Sequence, residues 1–134
     1  YESIFPPLSV DMVKNETNLL VNITNDAWFG KTSAPYQHFS MAVFRAIENR
    51  RALVRAANTG ISGYIDPVGR VMETSHLFET AVLSRGIPLI KDHETFYTRH
   101  KDWLPIGCLI ASGMIIVLQL LFKKKQTQTG IGNR

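Results

Sequence analysis

Cysteine is almost absent from this 134-residue chain, and Cys108 is the single example. No disulfide can therefore form within the chain. Cys108 lies in an apolar run, where we expect a buried and unreactive thiol. The histidines are scattered rather than grouped at metal-ligand spacing, so they are interpreted as surface or core residues. They are His38, His76, His93 and His100. We expect no metal and no cofactor.

Residues 1–102 have no excess of charge of either sign. They hold 11 of the 15 Lys+Arg residues and all 11 Asp+Glu residues, so the net charge of +4 comes wholly from the end of the chain. The cations there are Lys123, Lys124, Lys125 and Arg134. This balance gives no sign of a nucleic-acid-binding face on the main part. A solvated or nucleic-acid-binding run is the alternative for the three lysines themselves.

An uncharged run extends from Trp103 to Phe122, and its only polar side chains are Ser112 and Gln119. As a helix it would be roughly 30 Å long, the thickness of the hydrocarbon core of a bilayer. We predict a transmembrane helix at 103–122, with a buried helix of a soluble protein as the alternative. A lysine triplet beside such a span is typical of the cytoplasmic side, and Trp103 is typical of the opposite interface.

The preceding residues alternate strand and helix patterns, which indicates an α/β fold. Apolar and β-branched runs predict strands at 19–24, 52–57 and 80–84, and apolar spacings of three and four predict a helix at 36–50. Asp66, Pro67 and Gly69 occupy positions that favour a type I turn. A hairpin of residues 62–65 and 70–73 is therefore predicted around that turn.

Several ordered motifs resemble the C-terminal part of bacterial apolipoprotein N-acyltransferases, membrane-bound members of the nitrilase superfamily. The resemblance is nearly continuous over residues 1–74. It rests on Tyr1-Glu2, Phe5-Pro6, the run Thr24–Gly30, Gln37-His38, Arg45–Glu48, Arg55, Asn58–Ser62 and Asp66–Gly69.

The resemblance implies the second half of a nitrilase-like, four-layer αββα sandwich followed by one transmembrane helix. Residues 1–94 would be the C-terminal half of a CN hydrolase domain on the periplasmic side of the bacterial inner membrane. A juxtamembrane linker at 95–102, a transmembrane helix at 103–122 and a basic cytoplasmic tail at 123–134 would follow. The chain is interpreted as a fragment that begins just after a catalytic cysteine, and its other half is expected as a partner.

The family chemistry uses a Glu-Lys-Cys triad. Its Cys takes an acyl chain from a phospholipid as a thioester and passes it to the N-terminal diacylglyceryl-cysteine of an apolipoprotein. The resemblance places that Cys immediately before Tyr1, and the Glu base and the Lys further upstream. This chain therefore contains no catalytic residue of its own and is predicted to be inactive alone. Its implied partners are the phospholipid donor, the apolipoprotein acceptor and the membrane, with no nucleic acid.

The same resemblance assigns supporting roles within the chain. The Tyr1 backbone N–H would help to stabilise an oxyanion, and Glu2 would hold the Lys or its loop. Trp28 and Phe29 would line the acyl-chain path, and Asn25 and Asp26 would position their loop. The alternatives are a surface carboxylate for Glu2 and core packing for the two aromatics. Structural ion pairing is the interpretation for three further residues: Arg45, Glu48 and Arg55.

Two other functions remain open at the level of sequence. One is a membrane-anchored nitrilase-type amidase or N-acyltransferase with a different substrate. The other is a non-enzymatic single-pass interaction protein, because the chain contains no cysteine outside its apolar run that could act as the nucleophile. The residue before Tyr1 distinguishes the two enzyme hypotheses from the non-enzymatic one. A Cys at that position would support an enzyme, and a start codon there would exclude both enzyme hypotheses.

The lysine triplet generates a topology prediction. A reporter fused after Arg134 should behave as cytoplasmic, and one inserted between Lys91 and Glu94 as periplasmic, because positive flanks stay on the cytoplasmic side. Alkaline phosphatase and fluorescent-protein fusions measure this directly. The reverse pattern would contradict the membrane prediction.

Overall fold

The computed structural model describes residues 2–91 and 93–129, with side chains for all of these except residues 122 and 124–129. The chain divides into two units, residues 1–101 and residues 102–134. Tyr1 and the last five residues of the predicted tail lie outside the described residues, so the role assigned to Tyr1 stays a prediction.

The first helix follows a 3-10 turn at Glu2–Ile4 and was not predicted. Helix α1 (Pro6–Lys14) has prolines at its first two positions, where a missing N–H leaves no hydrogen bond unmade. Val10 and Val13 are its buried apolar residues. A Pro-Pro pair followed by only two core positions gives a weak periodic signal, which explains why the sequence pattern did not indicate this helix.

A parallel strand–helix–strand unit forms the centre of the domain. Strand β1 (Leu19–Asn25) leads through helix α2 (Ala34–Asn49) to strand β2 (Ala52–Asn58). The two strands pair in register from Leu19↔Ala52 to Asn25↔Asn58. Helix α2 ends where Arg50 takes a left-handed conformation (φ 51°). These elements confirm the predicted strands at 19–24 and 52–57 and the predicted helix at 36–50.

The predicted hairpin is also confirmed. Strands β3 (Gly63–Ile65) and β4 (Val71–Thr74) are antiparallel and complete a sheet of order β1-β2-β3-β4. The Asp66 carboxylate accepts from the backbone N–H groups of Val68 and Arg70 at 2.9 and 2.8 Å. Gly69 has φ +85°, a backbone conformation that residues with a side chain rarely adopt. Asp66 and Gly69, the residues on which the turn prediction rests, therefore stabilise this connection.

The strand predicted at 80–84 is wrong. No strand is assigned between Ser75 and the end of the described part of the loop at Lys91. Val82 is 95% exposed, so its β-branched side chain packs against no sheet face. The Tyr64 hydroxyl donates to the Leu83 carbonyl at 3.1 Å, and Arg85 donates to Met72 O at 3.2 Å. Side chains rather than a backbone ladder hold this segment, and strand propensity alone does not supply a ladder.

Helices α1 and α2 cover one face of the sheet. The core cluster lies between that face and the helices and consists of Val13, Leu20, Phe39, Ala42, Ala46, Leu53, Ile61 and Ile65. On the opposite face, Val21 and Ile23 are 64% and 78% exposed. Among the described strands, β1 pairs only with β2, so its outer edge is open. The first unit is therefore a helical layer on a sheet with one uncovered face.

The segment predicted as a linker, residues 95–102, contains helix α3 (Phe96–His100). The Thr95 hydroxyl caps the helix by accepting from the Thr98 N–H at 2.9 Å. Thr98 is fully buried, and its hydroxyl donates to Asn49 Oδ1 at 3.2 Å. Most of this segment therefore packs as part of the first unit, which ends at Lys101.

Helix α4 (Trp103–Thr129) forms the second unit and continues past the end predicted at residue 122. Its stretch Trp103–Leu121 is long and apolar enough to cross a membrane, and none of it is buried. This helix suggests membrane association. Cys108 lies on the surface of this helix, and because the structure contains no membrane, the expectation of a thiol buried within the span stays a prediction.

Candidate active site

The candidate site lies at the carboxyl ends of the parallel strands β1 and β2, where α/β sheets commonly bind ligands. Asn25 ends β1, and Asn58 ends β2. The Asp26 N–H donates to the Asn58 carbonyl at 3.2 Å, which carries the strand pairing one residue into the loop. This bond holds the loop after β1 against the neighbouring strand.

Asp26 is the centre of a buried polar network. It is 2% exposed, although a carboxylate in a loop is normally solvated. Its Oδ2 accepts from Arg55 Nη2 at 2.9 Å, and its Oδ1 lies 2.9 Å from His38 Nδ1. The Thr24 hydroxyl is 3.4 Å from the same Oδ1. The Asp26 carboxylate therefore orders the loop through bonds to other side chains, in addition to the backbone bond to Asn58.

Arg55 joins β2 to the rest of the network. Besides Asp26, its guanidinium donates to the Ile61 carbonyl at 3.2 Å and to Asn22 Oδ1. Burial lowers the pKa of Arg55, and the neighbouring Asp26 carboxylate opposes that shift. Each of its three nitrogens has an acceptor, so this buried charge is both paired and hydrogen-bonded, as a buried ion pair requires.

His38 occupies a single tautomer in this arrangement. Arg55 only donates and Asp26 only accepts, yet both have an atom within 3.0 Å of His38 Nδ1. A lone pair on Nδ1 would lie 2.9 Å from Asp26 Oδ1, which can only accept, so we assign the proton to Nδ1 and direct it to Asp26 Oδ1. The remaining nitrogen, Nε2, then accepts from the Ser3 hydroxyl at 3.0 Å. His38 is neutral in this assignment.

The distances of Ser3, His38 and Asp26 match those of a catalytic serine triad, but the electrostatics do not. A triad histidine must accept a proton, and its aspartate stabilises the resulting imidazolium. Here burial lowers the pKa of His38, and the charge of Arg55 lowers it further, against the opposing effect of Asp26. Ser3 is also buried. The arrangement therefore holds groups in place and does not activate Ser3.

The loop after β1 presents two aromatic side chains in a 3-10 turn, Ala27–Phe29. Trp28 is 74% exposed, so it does not pack in the core of the described residues. Phe29 is half-buried and meets the His38 ring edge-on, with centroids 5.9 Å apart. Asn25 Oδ1 accepts from the Ala27 N–H at 3.1 Å and from Asn58 Nδ2 at 3.3 Å. Asn25 thus fixes the start of the turn.

Glu2 lies in the 3-10 turn beside Ser3, and its side chain is exposed. An open polar cavity of about 320 Å³ lies at the carboxyl end of β2, where Asn58 ends the strand. Its lining includes Asn58, Thr59, Ser62, Ser75 and Glu79. No group of three metal-binding side chains occurs among the described residues.

Arg45 and Glu48 pair one turn apart on α2, with 2.9 Å between Nη2 and Oε1. Arg45 is buried, and its Nε and Nη1 have no hydrogen-bond partner among the described residues. The pair lies on the helix as an i,i+3 ion pair, the structural arrangement that sequence reasoning assigned to it.

Sequence reasoning missed Ser3 and His38, and it gave Arg55 no specific partner. His38 had been interpreted only as an ordinary surface or core histidine. One available signal was its spacing on α2, because His38, Arg45 and Asn49 recur at helical spacing next to the apolar stripe. A polar residue on the buried side of a helix needs a partner, and a carboxylate directly after a strand was the nearest candidate.

The sequence of this chain matches known proteins over most of its length. The model of the carbon-nitrogen hydrolase family matches residues 1–91. An apolipoprotein N-acyltransferase of Geobacter metallireducens is 50% identical over 125 residues, which are 93% of this chain and 23% of the relative. One of Thermotoga maritima is 43% identical over 134 residues, 100% of this chain and 26% of the relative.

Apolipoprotein N-acyltransferase 2 of Treponema denticola is 37% identical over 129 residues, 96% of this chain and 24% of the relative. The chain thus spans about a quarter of the length of the curated relatives it matches.

The approach of Gly60 to Asp26 generates a stability prediction. A Cβ at Gly60 would lie 2.9 Å from Asp26 Cβ and closer still to Oδ2, which cannot move without losing Arg55. Gly60→Ala should therefore destabilise the protein by roughly 1–3 kcal/mol, whereas Gly86→Ala, with nothing within 4 Å, should change little. Urea unfolding of both variants in detergent measures this. Equal stability of the two variants would contradict the network.

The lowered pKa of His38 generates a pH prediction. A group with its folded pKa below the unfolded value of 6.5 binds fewer protons when folded, so its contribution is complete above pH 6.5 and is lost on acidification. The free energy of unfolding should fall as the pH drops below about 6.5. His38→Gln should be less stable at neutral pH but should lose less stability between pH 7.5 and 5.5. An identical pH slope in both proteins would refute the assignment.

Proposed function

Because the chain belongs to the carbon-nitrogen hydrolase family, we propose that it is part of an apolipoprotein N-acyltransferase. The observation that carries the proposal is the extent of the matches. The family model ends at residue 91, whereas the relatives from Geobacter metallireducens and Thermotoga maritima match 93% and 100% of this chain. Matches of this length must extend well into the apolar helix α4. The likeness therefore includes a feature that a soluble amidase has no need to share.

The proposed reaction has two acyl transfers. A Cys thiolate, expected immediately before Tyr1, attacks an ester carbonyl of a phospholipid, forms a thioester and releases a lysophospholipid. The α-amine of the diacylglyceryl-cysteine of an apolipoprotein then attacks the thioester, forms an amide and returns the thiol. A Glu base and a Lys from upstream complete the triad, so residues 1–134 alone should catalyse neither step.

Residues of this chain are proposed to serve this reaction by position. Glu2, exposed and two residues after the expected nucleophile, is proposed to hold the catalytic Lys or its loop by a charge-assisted hydrogen bond. The Tyr1 N–H is proposed as an oxyanion donor. Trp28 and Phe29 would line the acyl-chain path, and the exposure of Trp28 supports this role over core packing. Asn25 and Asp26 would hold that loop.

The uncovered sheet face supports the proposal of a four-layer αββα sandwich. Exposed Val21 and Ile23 present apolar surface that a second sheet would bury, and the open edge of β1 offers unpaired backbone groups. The other half of the same protein is the proposed partner. We place this domain on the periplasmic side of the inner membrane and the C-terminus in the cytoplasm, on the support of the apolar stretch of α4 and the lysine triplet that follows that stretch.

The test uses the complete protein, with labelled phospholipid and detection of the acyl-thioester. Glu2→Gln should lower thioester formation by on the order of tenfold to a hundredfold, because a charge-assisted hydrogen bond is worth roughly 1.5–3 kcal/mol. Trp28→Ala should impair acyl loading or transfer without lowering membrane abundance.

Matched controls separate these roles from bulk effects. Glu16→Gln is the control for Glu2→Gln, since Glu16 is also an exposed carboxylate. Phe44→Ala is the control for Trp28→Ala, since Phe44 is an exposed aromatic residue that lies on α2 and not in the loop. Both controls should leave thioester formation unchanged. Normal activity of Glu2→Gln would show that Glu2 is only a surface carboxylate. Loss of membrane abundance of Trp28→Ala would show that Trp28 packs in the core of the complete protein. Absence of any thioester in the unsubstituted complete protein would refute the proposed function and favour another amide substrate.

A further inference from the structure

Two segments of the candidate site are far apart in sequence and meet at His38. The turn of residues 2–4 reaches it through the Ser3 hydroxyl, 3.0 Å from Nε2. The loop after β1 reaches it through the Asp26 carboxylate, 2.9 Å from Nδ1, and through the Phe29 ring. The imidazole therefore lies between the turn that carries Glu2 and the loop that carries Trp28.

The imidazole is held on every side that carries a polar atom. Each ring nitrogen has a partner, and the residue is 4% exposed on helix α2. Asp26 is itself fixed by Arg55, whose three nitrogens are all bonded. A side chain fixed at both nitrogens transmits position, because it cannot rotate without breaking a buried hydrogen bond.

We propose that His38 is a positioning residue that sets the turn of residues 2–4 against the Ala27–Phe29 loop. The proposal rests on the proposed function, in which the nucleophile lies next to the turn and the acyl chain lies along the loop. Acyl transfer needs the thiolate and the ester carbonyl within a few tenths of an ångström of their reacting geometry. His38 would supply that alignment by holding the turn and the loop, without contacting either substrate.

The two nitrogens of His38 can be tested separately. The shorter amide side chain in His38→Asn retains an N–H donor near the position of Nδ1 but does not reach Ser3, and Ser3→Ala removes the other half of the same bond. Each variant should lower the rate of acyl-thioester formation per folded molecule about threefold to tenfold, with little change in the KM for phospholipid. The double variant should be no worse than His38→Asn alone, because both lack the same Ser3–His38 bond and the same ring contact with Phe29.

A closely matched control is Ser9→Ala. Ser3 and Ser9 are both 7% exposed, and each is hydrogen-bonded to a side chain of α2 at 3.0 Å. Loss of the Ser9 bond to Asn49 should destabilise the protein to a similar extent without changing the rate per folded molecule. Equal loss of rate in Ser9→Ala, or additive losses in the Ser3 and His38 double variant, would overturn the positioning role. Recovery of the rate in Ser3→Thr, which restores a hydroxyl, would support it.

Hydrogen exchange tests the coupling without any substrate. In the complete protein, Ser3→Ala should speed amide exchange of residues 27–30 as well as of its own turn, because the bond to His38 links the two segments. Exchange that changes only near Ser3 would overturn the inference. Coupled exchange in a protein that forms no thioester would refute the proposed function alone and leave the link between the segments standing.

Discussion

The ion pair between Asp26 and Arg55 is the interaction on which the rest of the site depends. Both side chains are almost wholly buried, so each charge has lost its hydration and is stabilised by the other. Removing one partner of such a pair typically costs about 3–5 kcal/mol, because the other charge is left buried and uncompensated. The pair also connects the loop after β1 to β2, and it thereby fixes the two strand ends that carry the site.

The state of His38 follows from that pair. Because Arg55 takes one oxygen of Asp26, the other oxygen is left for the Nδ1 proton, and Nε2 is left to accept from Ser3. Burial disfavours the imidazolium and lowers the pKa of His38, and the charge of Arg55 lowers it further. Burial and this cation together keep the imidazole neutral, and they turn a triad-like geometry into a structural support.

Most of the fold was predictable because local sequence signals agreed with tertiary packing. Strands β1 and β2, helix α2 and the Asp66 turn each had a periodic pattern or a turn residue of their own. The segment 80–84 has strand propensity but pairs with no neighbouring strand. Helix α1 forms although its sequence has little apolar periodicity. The site was less predictable, since Ser3, Asp26, His38 and Arg55 are distant in sequence and meet only after β1, α2 and β2 have packed. An isolated histidine does not reveal which carboxylate it will meet.

The two faces of the sheet have different requirements, and this difference bears on how the site is assembled. On the helix-covered face, every polar side-chain atom of Asp26, His38 and Arg55 has its partner within the first unit. On the other face, Val21 and Ile23 are apolar and exposed, and burial of such surface needs no specific geometry. Hydrogen bonds fix atoms to a few tenths of an ångström, whereas apolar contact tolerates adjustment. The alignment of the turn with the loop is therefore encoded within the first unit, whatever packs on its open face.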